Sequence, residues 1–193
     1  MPALLLASSS PYRQQLLQRL QLSFSCQAPN IDETVLEGES GRNLTIRLAK
    51  EKALALAQTH PNHLIIGSDQ VAVLANGEIL GKPHTLERAQ AQLRAASGSS
   101  VSFLTAIALL NSQTGHCQID CVPYTVHFRT LSERQILNYL EREQPFDCAG
   151  SFKSEGLGIS LFASTEGSDA TSLVGLPLIK LIDMLKNEGV EVL

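Results

Sequence analysis

A serine-rich segment near the start of the chain has the residue types of an anion-binding helix terminus. Ser8-Ser9-Ser10-Pro11 follows a short apolar run, with Ser10 suited to cap a helix and Pro11 suited to open it. The free backbone N–H groups of such a first turn attract anions. Arg13 would lie in that turn, where the helix dipole disfavours a cation unless a phosphate lies between them. An ordinary serine cap with a solvated arginine explains the same residues equally well.

A lysine falls on the apolar side of a predicted helix. At about 100° per residue, the 44–58 segment places Leu48 and Leu56 on its apolar side and Lys50 on its polar side. Lys52 falls between the two leucines. A buried ammonium group is unfavourable unless it meets an anion or its stem reaches solvent. Lys52 is therefore a candidate site residue, with solvent snorkelling as the alternative.

Two carboxylates and a second lysine could face the same space. Asp69 lies in Gly67-Ser68-Asp69-Gln70, a break between two apolar runs that would put Asp69 at a strand end. There it could bind a divalent cation or take a proton from water, and an Asx-turn is the alternative. Glu33 follows the first helix, and Lys82 in Gly81-Lys82-Pro83 is equally consistent with a solvent turn. Together these residues indicate metal-assisted chemistry on a phosphate chain.

Length and composition restrict the class of protein that could carry these residues. The chain has 193 residues, and residues 1–193 are expected to form a single domain with a continuous core. Apolar residues make up 44%, and no apolar run approaches the roughly 20 residues of a membrane span. A soluble protein with no membrane partner is expected. The net charge of -4 argues against a nucleic-acid partner, so an anionic ligand would need a local cationic pocket.

The N-terminus and the cysteines indicate a reducing compartment. MPALLLASSS lacks a cationic segment and its apolar run is too short for a secretory signal, so a cytoplasmic location is expected. The four cysteines form no CxxC pair and no Cys/His cluster, which predicts free thiols. They are Cys26, Cys117, Cys121 and Cys148.

The apolar periodicity predicts an α/β fold with a mixed, twisted β-sheet flanked by helices. Strands are predicted at residues 3–7, 64–66, 71–74, 78–80, 101–110, 117–129 and 157–162. Helices are predicted after Ser10, at 44–58, at 85–97, from a Ser132/Gln135 capping box to 143, and from Pro177 to 189. Asn76-Gly77 predicts a hairpin, and crossover helices occur as well, so the sheet should contain both strand orientations.

Seven segments, in order along nearly the whole chain, resemble the Maf family of nucleoside triphosphate pyrophosphatases. They are LASSSPYR (6–13), DE (32–33), RLAKEKA (47–53), GSDQ (67–70), GKP (81–83), FDCAGSF (146–152) and VGLPL (174–178). The resemblance implies a mixed α/β fold of the Maf and ITPase type, with two lobes around a cleft, and frequent homodimers. It also implies a divalent metal cofactor (Mg²⁺, Mn²⁺ or Co²⁺) and hydrolysis of a nucleoside triphosphate to the monophosphate and pyrophosphate.

The resemblance also assigns roles to individual positions. It implies a catalytic carboxylate at Asp69, acting with Lys52 and Lys82. Phosphate-binding residues are implied at Ser8 and Arg13 as well as at the two lysines. A further site carboxylate is implied at Glu33, so that Asp69 and Glu33 are the expected metal ligands.

Three positions resemble the family branch that acts on 7-methyl-GTP rather than the branch that acts on dTTP and UTP. Tyr12, Gln70 and Glu155 stand where most of the family has Arg, Thr and Gln. Tyr12 could stack on the cationic 7-methylguanine ring, Glu155 could accept its N–H groups, and Gln70 could shape the same pocket. A packed surface aromatic and a solvated loop glutamate are the alternatives. Cys148 replaces a lysine of many relatives and is therefore left out of the site.

The expected function is metal-dependent hydrolysis of a nucleoside triphosphate, with 7-methyl-GTP as the favoured substrate, in the removal of modified nucleotides. A dTTP/UTP pyrophosphatase of the same family is the nearest alternative. A nucleotide-binding regulator of septum formation with little turnover is a second, although a retained base at Asp69 favours catalysis. A phosphomonoesterase would differ by releasing orthophosphate instead of pyrophosphate.

Overall fold

Residues 2–193, described by a computed structural model, form one sheet of seven strands and six α-helices. The strands are β1 (Ala3–Leu6), β2 (Phe24–Cys26), β3 (His63–Leu74), β4 (Ile79–Leu80), β5 (Ser100–Asn111), β6 (Cys117–Phe128) and β7 (Phe162–Gly167). The helices are α1 (Pro11–Gln18), α2 (Gly41–Leu54), α3 (Leu86–Ala96), α4 (Glu133–Glu143), α5 (Ala170–Val174) and α6 (Leu178–Asn187). No helix within this range combines the length and the apolar character that crossing a membrane would require.

The sheet is mixed, which confirms the fold class expected from the sequence. Its strand order is β2-β1-β3-β5-β6-β7, and β4 pairs with β3 outside this path. β1 runs parallel to β2 and β3, whereas β3, β5, β6 and β7 pair antiparallel. Helices α1 and α6 pack on one face through Leu17, Leu181 and Leu185, and α2 packs on the other through Ala49 and Ala53.

One edge of β3 is left open between two neighbouring strands. β1 pairs with β3 only as far as Ile66, and β4 begins to pair at Ala72. Within the described chain, residues 67–71 of β3 therefore have a strand neighbour on the β5 side alone. This gap lies at the carboxyl end of the parallel strand β1, the part of an α/β sheet where ligands commonly bind.

The Gly67-Ser68-Asp69-Gln70 segment is part of a continuous strand, which corrects two predictions. The pattern indicated separate strands with Asp69 at a strand end, and an Asx-turn was the alternative; instead, β5 pairs with β3 without a break across this segment. Gly67 is needed because α2 passes close by: a Cβ atom there would overlap the carbonyl oxygen of Ala49. The glycine permits close packing of helix and strand, and it does not mark a turn.

The predicted bounds of α2 and α6 also shift. α2 begins at Gly41, because Ser40 caps it by accepting a hydrogen bond from the N–H of Asn43 at 3.3 Å, and it ends at Leu54. The first helical turn is mostly polar, so apolar periodicity placed the start too late. Pro177 is the N-cap of α6 instead of its first helical residue.

The strand predicted at residues 157–162 is wrong. Leu157–Leu161 forms a 3-10 turn, and the strand lies at Phe162–Gly167. An extended strand would bury alternate residues, but Ile159 is 61% exposed while Leu161 is buried. The true strand escaped prediction because five of its six residues are exposed and carry no apolar alternation.

Several other predictions are confirmed. Asn76-Gly77 forms the hairpin between β3 and β4, with the N–H of Leu74 bonded to the carbonyl of Glu78. The capping box of α4 is present, and α3 begins after the N-cap Thr85. β5 and β6 are the expected long antiparallel pair.

Candidate active site

A cavity of about 710 Å³ opens over the exposed edge of β3. Its volume is typical of sites that bind small molecules. The walls come from the β1–α1 junction, the loop before α2, α2 itself, β3, the segment after β4, residues 147–155 and the end of α5. All nine residues predicted for the site line it: Ser8, Tyr12, Arg13, Glu33, Lys52, Asp69, Gln70, Lys82 and Glu155. The fold therefore gathers these residues around one space.

Lys52 is buried between two carboxylates. Its Nζ lies 2.7 Å from Oδ1 of Asp69 and 2.8 Å from Oε1 of Glu33, and the residue is 6% exposed. Lys50, on the other side of α2, is exposed. The predicted inward orientation of Lys52 is confirmed. Solvent snorkelling is excluded, because the ammonium group ends in ion pairs.

The two carboxylates have pKa values displaced in opposite directions. Burial raises the pKa of Asp69, although the charges of Lys52 and Arg13 oppose the rise. Burial also acts to raise the pKa of Glu33. There, however, the hydrogen bond and charge of Lys52, together with the charges of Lys82 and Arg13, have the larger combined effect and lower the pKa. Such a divergence is common where two acids have different tasks. Asp69 is the one better suited to accept a proton.

The serine-rich segment forms the capped helix terminus that the sequence predicts. Ser10 is the N-cap of α1, and its Oγ accepts a hydrogen bond from the N–H of Arg13 at 3.4 Å. The Oγ of Ser8 accepts one from the N–H of Ser10 at 3.1 Å. Both serines line the cavity, so the helix terminus faces the space in front of Asp69.

The side chain of Arg13 is fixed by the carbonyl of Gly175. Its Nε donates to that oxygen at 2.8 Å, which holds the guanidinium near Asp69 and Glu33. Burial lowers the pKa of Arg13 from its usual value, and the two carboxylates counteract this. Arg13 is therefore not the solvated arginine of the alternative reading, because its side chain reaches into the cavity wall.

Lys82 approaches Glu33 from the segment after β4. The side chain is exposed, and the residue lines the cavity. Its charge helps to lower the pKa of Glu33, although Lys52 has the larger effect and burial acts in the opposite direction. A position that combines solvent access with proximity to Glu33 suits a cation that meets an incoming anion. It differs from Lys52, which is already paired.

Tyr12 contacts two residues of the 146–152 segment. Its hydroxyl donates to Oδ2 of Asp147 at 3.4 Å, and the thiol of Cys148 lies 3.9 Å from the Tyr12 oxygen. Burial, followed by the nearby Cys148 and Asp147, raises the pKa of Tyr12. Burial likewise raises the pKa of Cys148 to about 12, with Asp147 adding to the effect. Both groups are therefore neutral near pH 7, and Tyr12 lines the cavity.

Gln70 and Glu155 line the cavity in different ways. Strand alternation turns Gln70 away from α2, and its Nε2 contacts the carbonyl oxygens of Ser172 and Leu173 at 2.8 and 3.0 Å. Gln70 therefore supports α5 as well as lining the space. Glu155 is exposed, and its Oε2 accepts a hydrogen bond from the hydroxyl of Ser154 at 2.8 Å.

The carboxylates fit a divalent cation that also binds a substrate. Within residues 2–193 no group of three or more His, Cys, Asp or Glu side chains could enclose a metal ion. Mg²⁺, however, is commonly bound by one or two carboxylates together with substrate phosphates. In this described part of the chain, no protein donor meets the second oxygen of Asp69 or of Glu33. The donor set therefore suits a hard cation that arrives with a phosphate chain.

Two contributors to the site were not predicted from the sequence. The carbonyl of Gly175 accepts from both Arg13 and Ser68, so it links α5 to β3 and to the cavity. Arg47 braces the loop that carries Glu33. Each lies in a segment that resembles the family, Gly175 in VGLPL and Arg47 in RLAKEKA, but the position of Arg47 on the exposed side of the α2 helical wheel gave no further signal.

Curated relatives extend over the whole chain. It is 66% identical over 192 residues to a protein of Pseudomonas syringae pv. tomato named 7-methyl-GTP pyrophosphatase, with 100% of both chains covered. Proteins of the same name from Pseudomonas fluorescens and Pseudomonas aeruginosa are 68% and 65% identical, over 97% and 100% of both chains. Among solved structures, a HAM1 protein from Coxiella burnetii matches with a TM-score of 0.48 and 23% identity, over 66% of this chain and 73% of that one.

Residues 3–188 match the family described as Maf-like protein. This match spans nearly the entire chain, from β1 to the end of α6, and includes every residue that lines the cavity. The chain belongs to the Maf-like protein family.

Proposed function

We propose that this protein is a nucleoside triphosphate pyrophosphatase that hydrolyses 7-methyl-GTP to 7-methyl-GMP and pyrophosphate. The observation that carries the proposal is the placement of Lys52 between Asp69 and Glu33 at the base of a cavity open to a nucleotide. The name shared by full-length relatives at 64–68% identity supports the same activity.

Asp69 is proposed as the general base. As the oxygen of a water molecule bonds to the α-phosphorus, Asp69 takes one of its protons, and the bond from the α-phosphorus to the bridging oxygen breaks. Pyrophosphate leaves with that oxygen, and the proton later passes to solvent. The raised pKa of Asp69 supports this role, because a carboxylate of higher pKa is a stronger base.

The cations are proposed to bind the triphosphate. The charge that develops on the departing pyrophosphate is offset by Lys52, Lys82 and Arg13. Ser8 and the N-terminus of α1 bind the same phosphate chain. A divalent cation such as Mg²⁺, Mn²⁺ or Co²⁺, held by Asp69 and Glu33, would supply further neutralisation of the phosphate oxygens.

The base specificity is proposed to depend on Tyr12 and Glu155, with Gln70 shaping the pocket. A 7-methylguanine ring carries a positive charge that GTP lacks, so the face of Tyr12 and the carboxylate of Glu155 both favour it. The nearby carboxylate of Asp147, which holds the Tyr12 hydroxyl, adds negative potential on the same wall. The proposal also includes a homodimer, as the family resemblance implies, and a cytoplasmic location, with which the cysteines agree because they form no disulfide or metal pattern. Light scattering would measure the size of the protein in solution.

Product identification with a nucleotide panel tests this function. The protein is incubated with 7-methyl-GTP, GTP, dTTP and UTP, each with Mg²⁺, Mn²⁺ or Co²⁺, and kcat/KM is measured with the products identified. The expected result is pyrophosphate as product and the highest kcat/KM for 7-methyl-GTP. Preference for dTTP or UTP would place the chain in the other branch. Orthophosphate would indicate a phosphomonoesterase, and tight binding without turnover would indicate a regulator.

A further inference from the structure

The loop that carries Glu33 is attached to the fold at few points. It connects β2 to α2, and its residues Pro29, Glu33 and Val35 line the cavity. Within the described chain, every hydrogen bond or ion pair from residues 29–39 to the rest of the fold reaches one of two side chains of α2. One is Lys52, which meets Glu33, and the other is Arg47.

The planar guanidinium group of Arg47 donates hydrogen bonds to this loop. Its Nε and Nη2 donate to the two carboxylate oxygens of Glu39 at 2.7 and 2.8 Å, and Nη2 also donates to the carbonyl of Thr34 at 3.0 Å. The side chain of Glu39 is only 8% exposed, and its Oε2 also accepts from the N–H of Leu36 at 3.1 Å. Such bidentate pairs fix geometry, and the point charge of a lysine cannot reproduce them.

The two attachment points have a fixed spacing. Thr34 directly follows Glu33, so the bond to its carbonyl holds the backbone next to the site carboxylate. Arg47 and Lys52 lie five residues apart on one helix, and the helix sets the distance between them. Arg47 itself does not line the cavity formed by the described residues.

We propose that Arg47 is a positioning residue that holds Glu33 against Lys52. By bonding Glu39 and the Thr34 carbonyl, it fixes the loop in the one placement in which the Glu33 carboxylate reaches the ammonium group. The expected effect of Arg47 on the reaction rate rests on the proposed function, whereas its effect on the placement of the loop does not.

Hydrogen exchange of the nucleotide-free protein tests, without reference to activity, whether Arg47 holds the loop in place. In Arg47→Lys, the hydrogen-bonded amides of Thr34 and Leu36 should exchange about tenfold faster or more, because local opening becomes easier. Glu39→Gln should act in the same direction. Lys50→Ala, which removes an exposed cation from the same helix, is the matched control and should leave these amides unchanged. Unchanged exchange in both Arg47→Lys and Glu39→Gln would overturn the proposal.

A double-mutant cycle tests whether Arg47 acts through Glu33. On the best nucleotide substrate, Arg47→Lys should lower kcat about tenfold with a smaller change in KM, since a displaced catalytic group costs rate more than binding. In a Glu33→Gln background, the same substitution should have almost no further effect on kcat. An equal loss in both backgrounds would contradict the proposal. An unmodified protein that cleaves no nucleotide would refute the proposed function instead. The exchange measurement would still show whether Arg47 holds the loop in place.

Discussion

At the residue scale, the charges of the site depend on Lys52. Its ammonium group neutralises two carboxylates that would otherwise repel each other, and one of them, Asp69, is itself buried. The cost of burying such charges is met by short ion pairs instead of by solvent. The arrangement leaves one oxygen of each carboxylate available to a ligand in the cavity.

Asp69→Asn should abolish most of the activity. The amide keeps the size of the side chain but cannot accept the proton of water, and it removes a charge from the site. The expected loss in kcat is about 100-fold or more, measured on 7-methyl-GTP at saturating metal ion. Asp183→Asn, at an exposed carboxylate on α6, is the matched control. Near-normal turnover by a folded Asp69→Asn variant would remove Asp69 from its assigned role.

The pKa of Asp69 should rise further when Lys52 is replaced. Burial already places this pKa above the usual aspartate value, and the Lys52 ammonium opposes the rise. In Lys52→Met the opposing charge is lost, so the carboxyl group should take up its proton at a higher pH than in the unmodified protein. Carbon-13 NMR titration of the metal-free protein measures this directly. Lys50→Met should leave the titration in place, and a lower Asp69 pKa in Lys52→Met would contradict the assigned ion pair.

Tyr12→Ala should reduce the preference for the methylated base. If the ring stacks on a cationic guanine, its loss should lower kcat/KM on 7-methyl-GTP about tenfold more than on GTP. Tyr12→Phe keeps the ring and loses the contact with Asp147, so it should retain most of the preference. Equal losses on every nucleotide after Tyr12→Ala would show that the ring only supports the helix terminus beside it.

At the element scale, the close approach of α2 to β3 sets the depth of the site. The helix packs against the strand at Gly67, two residues before Asp69, which brings Lys52 within reach of the carboxylate. Helical periodicity could predict the inward direction of Lys52, because the apolar residues around it define the buried side. It could not show that Asp69 lies within a strand, since glycine and serine before it have the composition of a turn.

The loop contacts of the site could not be predicted from the sequence. Residues 29–39 have no regular period, so neither the Glu33–Lys52 pair nor the Glu39–Arg47 pair follows from any pattern. The resemblance supplied Glu33 as a site residue but not its partner. Arg47 falls on the polar side of the helical wheel, where a solvated residue is the ordinary expectation. The 3-10 turn at Leu157–Leu161 was mistaken for a strand because its apolar residues are closely spaced.

Gly67→Ala should disturb both stability and activity. The added methyl group would overlap the Ala49 carbonyl and approach the backbone of Ala53, so α2 would have to move away from β3. We expect a loss of about 1–3 kcal/mol in the free energy of unfolding and lower kcat, because Lys52 moves with the helix. Chemical denaturation measures the stability change. Gly81→Ala, where the added Cβ meets open space, is the control for stability, and equal stabilities of the two variants would contradict the close approach.

At the scale of the whole molecule, charge is distributed unevenly around one cavity. The chain carries a net charge of -4, yet four cations line the cavity. Arg13, Lys52 and Lys82 lie with Asp69 and Glu33, and the fourth, Lys153, donates to the carbonyl of Glu143 at 3.1 Å. The 147–155 segment contributes two further carboxylates, Asp147 and Glu155, to the wall near Tyr12. A substrate with an anionic chain and a cationic ring matches both groups of charges. 7-methyl-GTP is such a molecule.

Hydrolysis of 7-methyl-GTP in water enriched in oxygen-18 tests the central claim most directly. If water activated at Asp69 attacks the α-phosphorus, mass spectrometry of the products should find one labelled oxygen in 7-methyl-GMP and none in pyrophosphate. Label in pyrophosphate would place the attack at the β-phosphorus, and labelled orthophosphate would place it at the terminal phosphate. Either of these results would contradict the assignment of the site to pyrophosphate release.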